Sequence, residues 1–202
     1  MTDLKHSVDP KMGIHAAQAI WHADPKMQAL VEDIFAKVKP ARFVETGTHL
    51  GWTAHWVATR YPSVALHTVE MVREYFDLAS ENLAGLQNVN QAFGDSRVFL
   101  RALKDLQGVT FFWLDAHWHT DHPLRQECQI VSSRSEPYVC LIDDYHCGDD
   151  FPGDTAAVPW VESTLGKDYW RPSYPYSPGC SGYVLFVHGV EYVPPETMRR
   201  NG

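Results

Sequence analysis

From residue 42 onward, short apolar runs alternate with longer stretches in which apolar residues recur every three or four positions. The short runs predict strands near residues 42–46, 65–70, 88–93, 109–115 and 138–143. The longer stretches predict helices near residues 51–60, 72–84, 96–105 and 123–134. Strands that alternate with helices in this way are typical of a parallel sheet whose crossover helices cover both faces.

The pattern extends to both ends of the sheet. Ahead of it, Asp24 followed by Pro25 predicts the start of a helix whose apolar face carries Leu30, Ile34, Phe35 and Val38. Behind it, we expect a helix near residues 159–165 and closing strands at residues 169–170 and 182–188. The sequence therefore predicts a single domain over residues 1–202, with a helical cap at 1–40 and a Rossmann-like core at 41–190.

Composition and charge narrow the class of protein. The 202 residues are 45% hydrophobic, which is enough for the core of one ordinary domain. With 17 Lys and Arg against 25 Asp and Glu, the formal net charge is −8, which argues against nucleic acid as a partner. The four cysteines lack paired spacing, and no apolar run is long enough for a membrane span. We expect a cytoplasmic protein with no membrane partner, and a homo-oligomer is one option.

A glycine-bearing turn follows the first predicted strand, where residues 43–51 are Phe-Val-Glu-Thr-Gly-Thr-His-Leu-Gly. Glycine permits both a tight turn and the close approach of a nucleotide cofactor, although a tight turn without a ligand is the alternative. Glu70 ends the second strand, where an acid can accept hydrogen bonds from ribose hydroxyls or simply begin the next helix. Asp95 and Ser96 follow the third strand and can contact an adenine amino group, cap a helix, or do both.

Three carboxylates stand at the ends of the next two predicted strands, Asp115 at the fourth and Asp143 with Asp144 at the fifth. Carboxylates that converge in this way can bind a hard divalent cation, and the alternative is that one of them caps the following segment. Histidines cluster beside them, at His117, His119, His122 and His146. Imidazole together with carboxylate can also bind a transition metal.

The order of these motifs resembles that of class I S-adenosylmethionine (SAM)-dependent methyltransferases, from Glu45-x-Gly47-x-x-x-Gly51 through Glu70 and Gly94-Asp95-Ser96 to Asp115-Ala116-His117. The resemblance covers residues 42–188. It implies an α/β fold with a Rossmann-like seven-stranded sheet in the order 3-2-1-4-5-7-6, and SAM as the cofactor. The cofactor-binding residues that it implies are Glu45, Thr46, Gly47, Gly51, Glu70, Met71, Gly94, Asp95, Ser96 and Asp115.

A narrower resemblance is to the magnesium-dependent sugar O-methyltransferases of the macrocin and novobiocin-pathway type. Their fourth and fifth strands end in Asp-Gly-Asp and Asp-Asp-Tyr, and the corresponding residues here are Asp115-Ala116-His117 and Asp143-Asp144-Tyr145. This resemblance implies that Asp115, Asp143 and Asp144 bind Mg²⁺ or another divalent cation. His117 then occupies the position of the catalytic base, beside Asp115, and an imidazole that titrates near neutrality can accept a proton there.

The expected acceptor is a hydroxylated small molecule such as a sugar or glycoside, lined by Trp118, His119, Tyr145 and His146. Three other functions remain open. The chain can be a metal-independent methyltransferase, a hydrolase or oxygenase that uses the Asp and His cluster, or a cofactor-binding protein without activity.

Overall fold

The computed structural model describes residues 20–104, 107–116, 123–143, 163–166, 168–173 and 182–201, apart from the side chain of His22. Its strands are β1 (Arg42–Thr46), β2 (Ala65–Glu70), β3 (Val89–Phe93), β4 (Thr110–Leu114), β5 (Tyr138–Ile142), β6 (Tyr169–Pro172), β7 (Val184–His188) and β8 (Met198–Asn201). Its longer helices are α1 (Pro25–Val38), α2 (Trp52–Arg60), α3 (Arg73–Asn82), α4 (Ser96–Ala102) and α5 (Leu124–Ser132). Each predicted strand and helix within these ranges is present, with ends that differ by at most a few residues.

All the strands belong to one sheet, in the order β3-β2-β1-β4-β5-β7-β6-β8. The strands β1 to β5 are parallel, and β7 enters antiparallel between β5 and β6. The predicted Rossmann-like fold is confirmed, and the order 3-2-1-4-5-7-6 is contained in the sheet. The predicted number of seven strands is wrong, because β8 adds an eighth strand to the free edge of β6. Its sequence, Met-Arg-Arg-Asn, lacks the apolar alternation that marks a strand, and backbone pairing with β6 organises it instead.

Helices cover both faces of the sheet, as predicted. One face packs against α1, α2 and α3, and the other packs against α4 and α5. Side chains alternate along β4, so that Phe111 and Trp113 belong to the first core and Phe112 and Leu114 to the second. Because both faces are covered, β4 and β5 are buried along their whole length, which explains their continuous apolar sequences.

The segment before β1 is anchored to the first core. A short 3₁₀ turn at Ile20–Ala23 buries Trp21, whose ring lies edge-on to Phe43, Trp56 and Trp113. Asp24 then caps α1 by accepting hydrogen bonds from two backbone N–H groups of the first turn, as the sequence predicts. Residues 1–19 and 144–162 lie outside the described residues. No helix of the described chain has the length and apolar character needed to cross a membrane.

Candidate active site

A cavity of about 540 Å³ opens at the carboxyl ends of β1 to β4. Parallel sheets bind their ligands at this edge, and the volume falls in the range of small-molecule sites. Eight of the predicted cofactor residues line it, namely Glu45, Gly47, Glu70, Met71, Gly94, Asp95, Ser96 and Asp115. The parallel register brings these residues together, because each one lies at or just beyond the end of its strand.

The turn after β1 has a left-handed backbone at every second residue, with φ of +82° at Gly47, +49° at His49 and +79° at Gly51. A Cβ atom at Gly47 would lie 2.5 Å from the carbonyl oxygen of Asp115, so only glycine allows β1 and β4 to approach this closely. The middle one of these three left-handed positions is occupied by His49 and not by glycine. Histidine is among the non-glycine residues that adopt this conformation most readily, so it fits the left-handed backbone at this position.

Two predicted cofactor residues, Thr46 and Gly51, lie beside the cavity and not in its lining. The Thr46 side chain is buried and contacts α5 on the opposite face of the sheet. Gly51 begins α2, where an added Cβ would meet Ala79 and Leu83 at 3.3 Å. Gly51 therefore allows α2 and α3 to pack closely.

Glu45 is the most deeply buried acid in the cavity lining, with 1% of its surface exposed. The Thr68 hydroxyl donates to Glu45 Oε2 over 2.6 Å, and the Thr48 and Thr68 hydroxyl oxygens are also 2.6 Å apart. Because the proton of Thr68 goes to Glu45, Thr48 is the donor in the second bond. Burial raises the pKa of Glu45 to about 8. The hydrogen bond from Thr68 lowers this pKa, and the nearby charge of Glu70 raises it.

Glu70 joins the turn after β1 to the start of α3. Its Oε2 accepts a hydrogen bond from the backbone N–H of His49, and its Oε1 accepts one from Val72, both over 2.8 Å. A carboxylate oxygen has a second lone pair, so both can still accept from a ligand hydroxyl. The His49 ring lies edge-on to Tyr75, with 4.5 Å between centroids, and both residues line the cavity.

Asp95 caps α4, and it also lines the cavity. Its Oδ1 accepts from the backbone N–H of Arg97 over 2.8 Å, and the Arg97 guanidinium donates to both carboxylate oxygens. These hydrogen bonds hold the pKa of Asp95 below its usual value. The capping function is therefore present, and the contact with adenine stays a prediction.

The described lining of the cavity is acidic. It contains four carboxylates, from Glu45, Glu70, Asp95 and Asp115, and its one Lys or Arg side chain is Arg97, which pairs with Asp95. Such a lining suits a ligand that carries positive charge and hydroxyl donors. It is poorly suited to a pyrophosphate, which would bring further negative charge next to these acids.

Asp115 and Asp143 follow neighbouring strands. The backbone N–H of Asp115 donates to the Thr46 carbonyl over 3.2 Å, and that of Asp143 donates to the Leu114 carbonyl over 3.0 Å. Oxygen donors at adjacent strand ends fit a hard divalent cation. Among the described residues, no three His, Cys, Asp or Glu side chains form a group that could hold a metal. The other predicted site residues, His117, Trp118, His119, Asp144, Tyr145 and His146, lie outside the described part of the chain.

Several lining residues were not predicted from the sequence, among them Thr48, Tyr75 and Arg97. Arg97 had a usable signal, since an Asp-x-Arg sequence at a helix start places a guanidinium beside the capping carboxylate. Thr48 and Tyr75 had none, because their positions depend on how the turn packs against α3.

Comparison with known proteins bears on the fold. No family model matches the chain, and no curated protein matches it. The O-methyltransferase TomG from Streptomyces achromogenes, involved in tomaymycin synthesis and solved with SAM, is 22% identical, with 90% of this chain and 91% of TomG covered at a TM-score of 0.62. An O-methyltransferase from Bacillus cereus, solved with S-adenosylhomocysteine (SAH), is 16% identical, with 89% and 91% covered at a TM-score of 0.64. The chain has the fold of these SAM-dependent O-methyltransferases.

Proposed function

We propose that the protein is a SAM-dependent O-methyltransferase that acts on a hydroxylated small molecule, with a sugar or glycoside as the first choice. The observation that carries the proposal is the acidic cavity at the ends of β1 to β4, in which Glu45 and Glu70 face the same space. The fold shared with O-methyltransferases that bind SAM or SAH supports it.

The chemistry of the lining matches SAM better than it matches a dinucleotide. SAM carries positive charge on its amino group and its sulfonium sulfur, and its ribose hydroxyls and adenine amino group are hydrogen-bond donors. Glu45 would face the positive charge, which would favour its ionised form against the effect of burial on its pKa. Glu70 would face the ribose, and Asp95 the adenine. When bound, SAM supplies a methyl group that is activated by the positive sulfur. The contribution of the protein is then to align that methyl group with the acceptor oxygen.

The acceptor hydroxyl must lose a proton as it attacks the methyl carbon, and His117 is the proposed proton acceptor. Asp115 and Asp143, together with Asp144, would hold Mg²⁺ or another divalent cation, which lowers the pKa of a hydroxyl that coordinates it. Trp118, His119, Tyr145 and His146 are the proposed contacts of the acceptor. Their positions after β4 and β5 in the sequence support this assignment.

Calorimetry with SAM, SAH and NAD⁺ tests the cofactor. We expect SAM and SAH to bind and NAD⁺ to show no binding under the same conditions, because the pyrophosphate would face the acidic lining. The wild-type protein is then assayed for methyl transfer to a panel of sugars, glycosides and phenols, before and after exhaustive chelation.

Chelation should abolish transfer and leave SAH binding unchanged, and added Mg²⁺ should restore transfer. Methyl transfer that survives chelation would show that no metal is required, and the protein would then be a metal-independent methyltransferase. Cofactor binding without transfer to any acceptor would favour a binding protein. Absence of SAM and SAH binding would overturn the proposal.

A further inference from the structure

Glu127 is a carboxylate on the inward face of α5, and none of its surface is exposed. Its neighbours on that face, Cys128 and Val131, belong to the second core. A buried carboxylate is costly unless it is hydrogen-bonded, and burial raises the pKa of Glu127 to about 7, while hydrogen bonds from Ser96 and Thr46 lower it. An apolar residue would fill this position at lower cost, so the carboxylate needs another explanation.

Its contacts connect three separate elements. The Thr46 hydroxyl at the end of β1 donates to Glu127 Oε2 over 3.3 Å, and the same hydroxyl oxygen accepts from the backbone N–H of Asp115 over 3.3 Å. The Ser96 hydroxyl, at the start of α4, lies close enough to Glu127 to lower the pKa of its carboxyl group. Among the described residues, Oε1 of Glu127 has no hydrogen-bond partner. The carboxylate thus links the ends of β1 and β4 to the first residue of α4.

These linked residues form part of the cavity. Ser96 and Asp115 line it directly, and Thr46 is followed by Gly47, which lies against the Asp115 carbonyl. A small change in the spacing between β1, β4 and α4 would therefore change the shape of the cavity. Glu127 itself is not part of the lining, so it would act through Thr46 and Ser96.

We infer that Glu127 is a positioning residue, which holds the ends of β1 and β4 and the start of α4 at the spacing that cofactor binding and methyl transfer require. The inference rests on the proposed function. Alignment of the reacting groups is the main contribution expected from the protein, and misplacement by about 1 Å can cost roughly a hundredfold in rate.

The test compares Glu127→Met with Glu127→Gln. Methionine has a similar length but accepts no strong hydrogen bond, whereas glutamine keeps one carbonyl oxygen for Thr46 or Ser96. We expect Glu127→Met to bind SAH about tenfold more weakly, the change that one or two lost hydrogen bonds produce, and to lose roughly tenfold or more in kcat. Glu127→Gln should recover most of the SAH affinity. Gln126→Met, on the exposed side of the same helix, is the matched control and should behave like wild type.

Circular dichroism establishes that each variant is folded at the assay temperature. Thr46→Val tests the same inference independently, because it removes the hydroxyl that joins Glu127 to the end of β4. Its SAH affinity should fall as well, and the double variant Thr46→Val with Glu127→Met should bind no more weakly than the worse single variant. If Glu127→Met does not fold, Thr46→Val decides by the same two measurements.

Wild-type SAH affinity and kcat in folded Glu127→Met, or in Thr46→Val, would overturn the inference and leave Glu127 as a core residue only. Absence of SAH binding to the wild-type protein would instead overturn the proposed function, and the inference would fall with it. The SAH measurement needs no acceptor, so it tests Glu127 even before the acceptor is identified.

Discussion

Gly47 is the residue at which the turn after β1 meets the end of β4. Its backbone has a φ of +82°, and an added Cβ would stand 2.5 Å from the Asp115 carbonyl oxygen. Gly85 offers a matched comparison, since its φ is +83° and nothing lies within 4 Å of an added Cβ. The two glycines therefore share the conformational demand and differ in the contact.

We expect Gly47→Ala to lower the free energy of unfolding more than Gly85→Ala does. Both variants bear the cost of a left-handed alanine, about 1 kcal/mol, and Gly47→Ala adds a clash with backbone that cannot rotate away. Gly47→Ala should also weaken SAH binding, because the end of β4 must shift. Urea unfolding and calorimetry measure the two effects. Equal losses in both variants would show that the contact with Asp115 is easily relieved.

At the scale of elements, the start of α4 combines two functions in one side chain. Asp95 caps the helix through the backbone N–H of Arg97 and pairs with the Arg97 guanidinium, and it faces the cavity at the same time. Asparagine is as good a cap as aspartate, but it puts an NH₂ group in place of one carboxylate oxygen. Substitution can therefore separate the two functions.

Asp95→Ala should lose about 1 kcal/mol of stability through the missing cap, whereas Asp95→Asn should unfold close to wild type. Both should bind SAM more weakly, because alanine removes the acceptor and the amide NH₂ of asparagine opposes the adenine amino group, which is also a donor. Asp168→Asn, which removes an Asp–Arg pair beside β6 with Arg200, is the control. Normal SAM affinity in Asp95→Asn would mean that Asp95 acts only as a cap.

The elements differ in how far the sequence reveals them. The strands β4 and β5 are predictable because burial on both faces gives continuous apolar runs, and their ends then locate Asp115 and Asp143. Strand β8 is not predictable, since its polar sequence forms a strand only against β6. Glu127 had a signal: with Leu124, Cys128 and Val131 it completes the i, i+3, i+4, i+7 stripe of α5, and an acid within such a stripe indicates a buried carboxylate.

At the scale of the whole molecule, the stability of the fold depends on pH through its buried acids. Glu45 has its pKa raised from 4.5 to about 8, with burial as the first cause. A carboxyl with a higher pKa in the folded protein binds its proton more tightly there than in the unfolded chain. Its contribution to stability is therefore complete below pH 4.5 and is lost as the pH rises through about 8.

Glu45→Gln keeps an acceptor for Thr68 and stays neutral at every pH. We expect the stability of this variant relative to wild type to increase between pH 5 and pH 8, by up to about 1.4 kcal/mol for each pH unit within the window. Urea unfolding at several pH values gives this difference, and Glu81→Gln on the exposed side of α3 should show no such trend. A difference between Glu45→Gln and wild type that is constant with pH would contradict the assignment.

The left-handed residues of the turn after β1 show which positions of its sequence motif must be glycine and which need only a positive φ. Positions 47, 49 and 51 all have positive φ, and only the first lies against backbone that excludes a side chain. The middle position needs a conformation and not a glycine, and it leaves room for a ring that contacts Tyr75. A recognition pattern written as Glu-x-Gly-x-[Gly, Asn, Asp or His]-x-Gly would therefore find loops of this shape that a count of glycines passes over.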